Sequence, residues 1–318
     1  MRPARIAPFA AAFPLTVFIL SAQRPPAPVT GSQPAVGVTT DVVYGHKAGM
    51  ALTLDVYRPR TSNGAAVISV LSAGWQSGWD SLRQFEESPD GARLMTADAI
   101  AAAPGVLPAH SYLGLLDRGF TVFAVRHGSS PTFGMLDIVS DLRRGVRFVR
   151  QRSPEYGVNP DRIGLWGGSA GGHLSLLLGT TSEIGNANTT DGVEQGAAKF
   201  AAVVAYAPPT DLVAQWDFWK QHGPRLFPAV DMAAAEQRRY SPLAYVSPDD
   251  PPALIVHGDR DATVPLAQGR SMHDALTKAG VPSRLLIVEG AGHGFFGEEA
   301  KRVNAAMVAW FEQYLLKK

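Results

Sequence analysis

The run Ile163-Gly-Leu-Trp-Gly-Gly-Ser-Ala-Gly-Gly-His173 constrains the fold of this chain more than any other stretch. It contains Gly167-Gly-Ser-Ala-Gly171, a G-x-S-x-G pattern. A strand-like apolar run, Arg162 to Trp166, precedes the pattern, and a helix-like run, His173 to Leu178, follows it. In that setting the pattern reads as a nucleophile elbow, a strand that turns sharply into a helix and holds one serine at the top of the turn. The serine takes a strained backbone conformation, and flanking glycines remove side chains that would strike the neighbouring strand and helix. The helix N-terminus behind Ser169 offers backbone N–H groups to a developing oxyanion. Glycine makes up 32 of the 318 residues, so the pattern alone carries little weight. Its strand-before, helix-after context carries the reading.

A serine nucleophile needs a base, and the base needs an orienting acid. In this architecture the chain order is Ser, then Asp or Glu, then His. Downstream lies Ala253-Leu-Ile-Val-His-Gly-Asp-Arg-Asp261, an apolar run read as a buried parallel strand ending in a loop with Asp259 and Asp261. Arg284-Leu-Leu-Ile-Val-Glu-Gly-Ala-Gly-His293 repeats the arrangement and ends in a glycine-rich loop bearing His293. Each candidate sits just past the C-terminal end of a strand, where ligands bind in open α/β sheets. Asp259 competes with Asp261 for the acid role. His257 reads as closing its strand by hydrogen bonding, and His173 as capping or packing the helix after Ser169.

These pieces give the chain a resemblance to the α/β-hydrolase superfamily, in particular to its carboxylesterase/acetyl-esterase branch, which includes feruloyl-esterase-like hydrolase domains. The matching stretches are Asp161 to His173, Pro251 to Asp261 with Val264-Pro265, and Gly290 to Phe295, with Asp141 to Arg150 as the helix before the elbow. The resemblance covers residues 40 to 317. It implies Ser169 as nucleophile, His293 as base and Asp261, not Asp259, as acid. It implies an α/β-hydrolase fold, a mostly parallel sheet flanked by helices, with a small cap between strands six and seven. It implies no cofactor and no metal.

One piece departs from the branch. Relatives carry an H-G-G-G-W type loop after the third strand that supplies oxyanion N–H groups. Here the matching stretch is Leu71-Ser-Ala-Gly-Trp75, followed by Gln76-Ser-Gly-Trp79. None of these residues is proline, so backbone donors remain. Ser72 or Ala73, together with Ala170, is the expected oxyanion hole. Trp75 and Trp79 are expected either to line the substrate pocket or to pack in the core.

Composition narrows the class. Hydrophobic residues make up 46 % and charged residues 18 % of the chain, as suits a folded enzyme with a large core. A net charge of +1 and the absence of any basic-aromatic stripe point away from nucleic acid. With no cysteine there is no disulfide framework, thiolate metal site or cysteine nucleophile. Met1-Arg-Pro-Ala-Arg5, the apolar run Ile6 to Leu20 and the small pair Ser21-Ala22 read as a secretory signal peptide. The expected organisation is therefore a signal peptide over 1–22, a Pro-rich linker over 23–38 and one hydrolase domain over 39–318, secreted or periplasmic, without stable membrane insertion.

The remaining elements follow from periodicity. Thr39 to Tyr44 and Ala51 to Tyr57 read as an antiparallel edge pair. Ala65 to Leu71, Phe120 to Val125 and Phe200 to Tyr206 read as further strands, and Asp80 to Ala109 as a long insert. Met135, Ile138, Leu142, Val146 and Val149 repeat at helical spacing, leaving Arg143, Arg144, Arg147 and Arg150 for a solvated face. Asp211 reads as a helix cap. Trp216, Phe218, Trp219, Phe227 and Tyr240 fall in the cap segment, where they bind an acyl or aryl group or simply pack. Three readings stay open: a serine esterase on a small-molecule or polysaccharide-linked ester, an exopeptidase or acylaminoacyl-peptidase-like enzyme, and a non-catalytic hydrolase-fold binding protein.

Overall fold

In a computed structural model, residues 36–78, 112–222 and 227–317 are described. The expected signal segment, the insert and Trp79 fall outside them. Eight strands form one sheet in the order β1-β2-β4-β3-β5-β6-β7-β8. They are β1 (Val36–Lys47), β2 (Met50–Pro59), β3 (Ala66–Val70), β4 (Thr121–Val125), β5 (Ile163–Gly168), β6 (Ala202–Tyr206), β7 (Ala253–Gly258) and β8 (Ser283–Val288). β2 runs antiparallel to both β1 and β4, and every other pairing is parallel. The antiparallel pair therefore lies at one edge. β5 and β7 flank β6, β8 follows β7, and all four are parallel, so the C-terminal ends of β5, β7 and β8 open along the same edge of the sheet.

The strand pattern explains the layering. Successive side chains point to opposite faces, so strands buried on both sides read as continuous apolar runs. Ile68, Phe123 and Ile255 enter one core, while Val67, Val122, Leu254 and Val256 enter the other. Helices α2 (Met135–Arg152), α3 (Ala170–Thr180) and α6 (Leu266–Lys278) cover the first face. Helices α1 (Leu113–Asp117) and α7 (Gly297–Leu315) cover the second through Leu115, Val303, Met307 and Phe311. Helix α3 is buried from Ala170 to Gly179, and β5, which leads into it, is an inner strand of the sheet.

Between β6 and β7 lie α4 (Leu212–His222) and α5 (Ala234–Arg239). Asp211 Oδ1 accepts the N–H groups of Val213 and Ala214 at 3.0 and 3.2 Å and so caps α4. The arginine face of α2 departs from the expected solvated surface. Arg147 is buried and bonds Glu194 and Glu183 at 2.6 and 2.5 Å, and Arg144 bonds Asp191 at 2.5 Å. The polar loop after α3 folds back onto α2 and brings these acids to it, a tertiary event that helical periodicity does not record.

Candidate active site

The turn from β5 into α3 places Ser169 in a rare conformation, with φ 53° and ψ −121°. For a non-glycine residue such geometry costs about 1–3 kcal/mol and persists only where the surroundings enforce it. Here Ser169 N–H donates to Tyr206 O on β6 at 2.7 Å, and Ser169 O accepts His173 N–H at 2.9 Å to start the helix. The flanking glycines are obligatory on steric grounds. A Cβ on Gly167 would lie 2.4 Å from the carbonyl of Gly171, and one on Gly171 would lie 2.6 Å from Val70 O.

His293 leaves β8 in a loop that Gly290 turns at φ +77°. Its Nε2 lies 2.8 Å from Ser169 Oγ and its Nδ1 lies 2.8 Å from Asp261 Oδ2. The other carboxylate oxygen of Asp261 accepts the N–H groups of Thr263 and Val264, both at 2.9 Å. Oδ2 is thereby left facing the imidazole, with His257 Nε2 a further 3.5 Å contact. Burial pushes the Asp261 carboxyl up, but hydrogen bonds from His257 and His293 outweigh it and hold the group well below the usual carboxylate range. An ionised Asp261 only accepts, so Nδ1 of His293 carries the proton and Nε2 faces the serine hydroxyl as an acceptor. Among the described residues Asp259 makes no hydrogen bond to His293. Its Oδ1 accepts the Gly290 N–H at 2.7 Å and braces the histidine loop. His257 Nε2 donates to Val264 O at 2.8 Å, tying the strand end to the Asp261 loop.

The loop after β3 differs from expectation in one donor. Gly74 and Trp75 both have positive φ, at 58° and 60°. Ala73 and Gln76 exchange backbone bonds of 2.9 and 3.0 Å across them, the pattern of a type I′ turn. The Ala73 N–H is therefore spent inside the turn and is not an oxyanion donor. The Ser72 N–H has no partner among the described residues, and Ser72 O accepts Gly171 N–H at 3.1 Å, which seats the loop on the elbow. Ala170 is the first residue of α3, so its N–H has no intrahelical partner. Of the three expected donors, Ser72 and Ala170 are the two whose N–H groups have no partner among the described residues.

Trp75 is a second correction. It is only 1 % exposed and packs edge-on against His173, Trp219 and Phe227, so it lines the core and not an open pocket. The same cluster absorbs Trp219 and Phe227 from the cap segment, and Trp219 Nε1 donates to Thr263 O at 2.8 Å beside the Asp261 loop. A cavity of about 620 Å³ between α2, the end of α3 and Arg239 to Tyr245 contains none of Ser169, Asp261 and His293. The sequence placed His173 on the helix but offered no sign of its contacts, since Trp75 and Tyr240 stand 98 and 67 residues away.

The BD-FAE family model matches residues 106–276, more than half of the 318. The chain belongs to the BD-FAE family. The matched part of this BD-FAE chain contains Ser169 and Asp261. A 171-residue stretch is 30 % identical to the "Probable carboxylic ester hydrolase LipM" of Mycobacterium tuberculosis, covering 51 % of this chain and 38 % of that protein. The chain spans about half the length of the curated relatives it matches. Among solved structures it is similar to a truncated carbohydrate esterase from gut microbiota, with TM-score 0.67, 24 % identity and coverage of 90 % of this chain and 99 % of that one. It is also similar to an acetyl ester-xyloside bifunctional hydrolase from Caldicellulosiruptor lactoaceticus, with TM-score 0.69, 22 % identity and coverage of 88 % and 97 %. The fold is that of the α/β hydrolases.

Proposed function

We propose that this BD-FAE chain is a serine hydrolase of carboxylic esters that works through an acyl-enzyme intermediate. The observation that carries the reading is the unbroken file from Ser169 Oγ through His293 to Asp261 Oδ2, two bonds of 2.8 Å each. His293 Nε2 takes the hydroxyl proton as Ser169 Oγ attacks the ester carbonyl. Asp261 fixes the tautomer of His293 and stabilises the imidazolium that forms. The N–H groups of Ser72 and Ala170 hold the oxyanion. His293 then gives its proton to the leaving alcohol. A water attacks the acyl-enzyme by the reverse of the same proton path and releases the acid.

The preferred substrates are short-chain acyl or carbohydrate-linked esters. That class is supported by the two similar structures, described as a carbohydrate esterase and an acetyl ester-xyloside hydrolase, and by the sequence of residues 1–22, whose signal-peptide pattern suits an ester met outside the cytoplasm. Turnover of p-nitrophenyl acetate, butyrate and octanoate, with Ser169→Ala as control, tests the reading. Serine-dependent hydrolysis that falls with acyl length is the expected result. A folded protein that neither turns over ester nor reacts with a fluorophosphonate would overturn it. Matched ester and anilide substrates separate an esterase from a peptidase on the same residues.

A further inference from the structure

We infer that His173 is a positioning residue that tethers the oxyanion loop to the nucleophile helix through Trp75, an inference that rests on the esterase reading above. The indole Nε1 of Trp75 donates to His173 Nδ1 at 3.1 Å. An indole nitrogen only donates, so Nδ1 is the acceptor and the proton sits on Nε2. That Nε2 donates in turn to Tyr240 O at 2.6 Å. Both ring nitrogens are thus committed in one neutral tautomer, on a side chain with no exposure at all.

The loop needs such a tether because its turn is strained. Trp75 holds φ +60°, a genuine outlier for so bulky a residue. An outlier of this kind persists only where its surroundings over-determine it. The Trp75 carbonyl accepts Ser130 N–H at 3.1 Å, and the ring is wedged among His173, Trp219 and Phe227. Among the described residues the bond to His173 is the one hydrogen bond of the indole, and it fixes the rotation of the ring and with it the turn. Ser72 stands three residues before Trp75 and carries an N–H with no partner among the described residues.

His173 is also joined to the nucleophile itself. Its backbone N–H donates to Ser169 O at 2.9 Å, so ring and elbow belong to the same first turn of α3. One imidazole therefore links the residue after which the oxyanion donor Ala170 follows, the loop that supplies Ser72, and Tyr240 of the cap segment. An apolar side chain of similar volume would fill the space but would set neither the distance nor the angle between the two donors.

The two amide variants divide the two bonds. Asparagine places an acceptor where Nδ1 lies and keeps the Trp75 tether. Glutamine reaches the Nε2 position and keeps only the bond to Tyr240. His173→Gln and Trp75→Phe should each lower kcat on p-nitrophenyl acetate by about 10–100-fold, with KM changed by less than about threefold, because a misplacement of ångström size costs that much. His173→Asn should restore most of the rate. The double variant should lose no more than the worse single one. In ¹H–¹⁵N spectra the indole N–H of Trp75, assigned by its loss in Trp75→Phe, should move and exchange faster in His173→Gln but not in His173→Asn. A folded His173→Gln with wild-type kcat, an unmoved indole resonance, or losses that multiply in the double variant would overturn the inference. Should His173→Gln not fold, Trp75→Phe, which keeps a ring in place, carries the same test. Absence of turnover in the unmodified protein would instead overturn the esterase reading, and the indole resonance would still decide the tether.

Discussion

Asp261 offers its two carboxylate oxygens to different masters: Oδ1 to the backbone N–H groups of Thr263 and Val264, and Oδ2 to His293 Nδ1 at 2.8 Å. The loop that carries Asp261 is held by Asp261 itself, and the oxygen left over points at His293.

Asp261→Asn should keep the loop, because the amide oxygen still accepts from Thr263 and Val264. Its NH2 group would then meet His293 Nδ1 and force the wrong tautomer. The expected loss in kcat is about 10⁴-fold. Asp259→Asn, at a residue that bonds Gly290 and, among the described residues, not His293, should stay within about threefold of the parent. Steady-state kinetics on one ester decides between them, and a greater loss at Asp259 would reverse the assignment.

At Ser169 the strain and the chemistry separate. Ser169→Ala and Ser169→Gly should both abolish turnover. Only the glycine variant relieves the backbone at φ 53°, so it should be more stable than the alanine variant by about 1 kcal/mol. Denaturant unfolding of the two proteins measures the difference, and equal stabilities would mean that the elbow stores no strain.

Gly167→Ala should destabilise the protein by about 3 kcal/mol or more, since its Cβ would meet the backbone of Gly171 at 2.4 Å and neither segment can withdraw. Gly134→Ala, at the N-cap of α2, where nothing lies within 4 Å of the added Cβ, should cost only about 1 kcal/mol. Thermal melts of both variants check the contrast.

Acid should destabilise the fold through His173. Burial lowers its pKa from the ordinary 6.5 to about 4, against the raising effect of its bond to Tyr240. Above pH 6.5 the ring is neutral in both the folded and unfolded states and contributes no pH dependence. Between pH 6.5 and 4 the unfolded chain takes up a proton that the folded chain refuses, so stability falls as pH falls. The full loss is about 3 kcal/mol. Asp261 acts in the same direction at lower pH: its depressed carboxyl stabilises the fold fully above the ordinary 3.8, and that contribution is lost progressively as pH falls below 3.8, where the unfolded chain takes up a proton that the folded chain refuses. The Tm of the wild type should drop across that window, and the drop should be shallower in His173→Gln. Parallel profiles would show that His173 is not the group responsible.

Much of this architecture was legible in the residues because the signals are local. The alternation that sends Ile68 to one face and Val67 to the other, the helical spacing from Met135 to Val149, and the glycines around Ser169 all act over a few residues. The elbow was legible for a stronger reason: close approach of β5 to α3 admits only glycine at Gly167 and Gly171, so the sterics are written into the letters. The placement of His293 and Asp261 at strand exits also followed from pattern, since strands are short apolar runs and their ends are marked by Gly and Asp.

What the sequence could not supply were pairings between distant segments. Arg147 stands at a position that periodicity assigns to solvent, and it is buried because Glu183 and Glu194 return to it from another loop. Ala73 was an acceptable oxyanion donor until the turn closed on Gln76 and took its N–H. Trp75 could have faced a ligand or the core, and the rings of Trp219 and Phe227 with the imidazole of His173 decided for the core. The sequence by itself determined the elbow, the order of the strands' chemistry and the identity of Ser169, Asp261 and His293 as candidates, because backbone sterics and side-chain periodicity are short-ranged. The tertiary structure alone decided which N–H groups remain free, which rings are buried and which hydrogen bond fixes each tautomer, because those depend on partners tens of residues away meeting at distances of 2.6 to 3.1 Å.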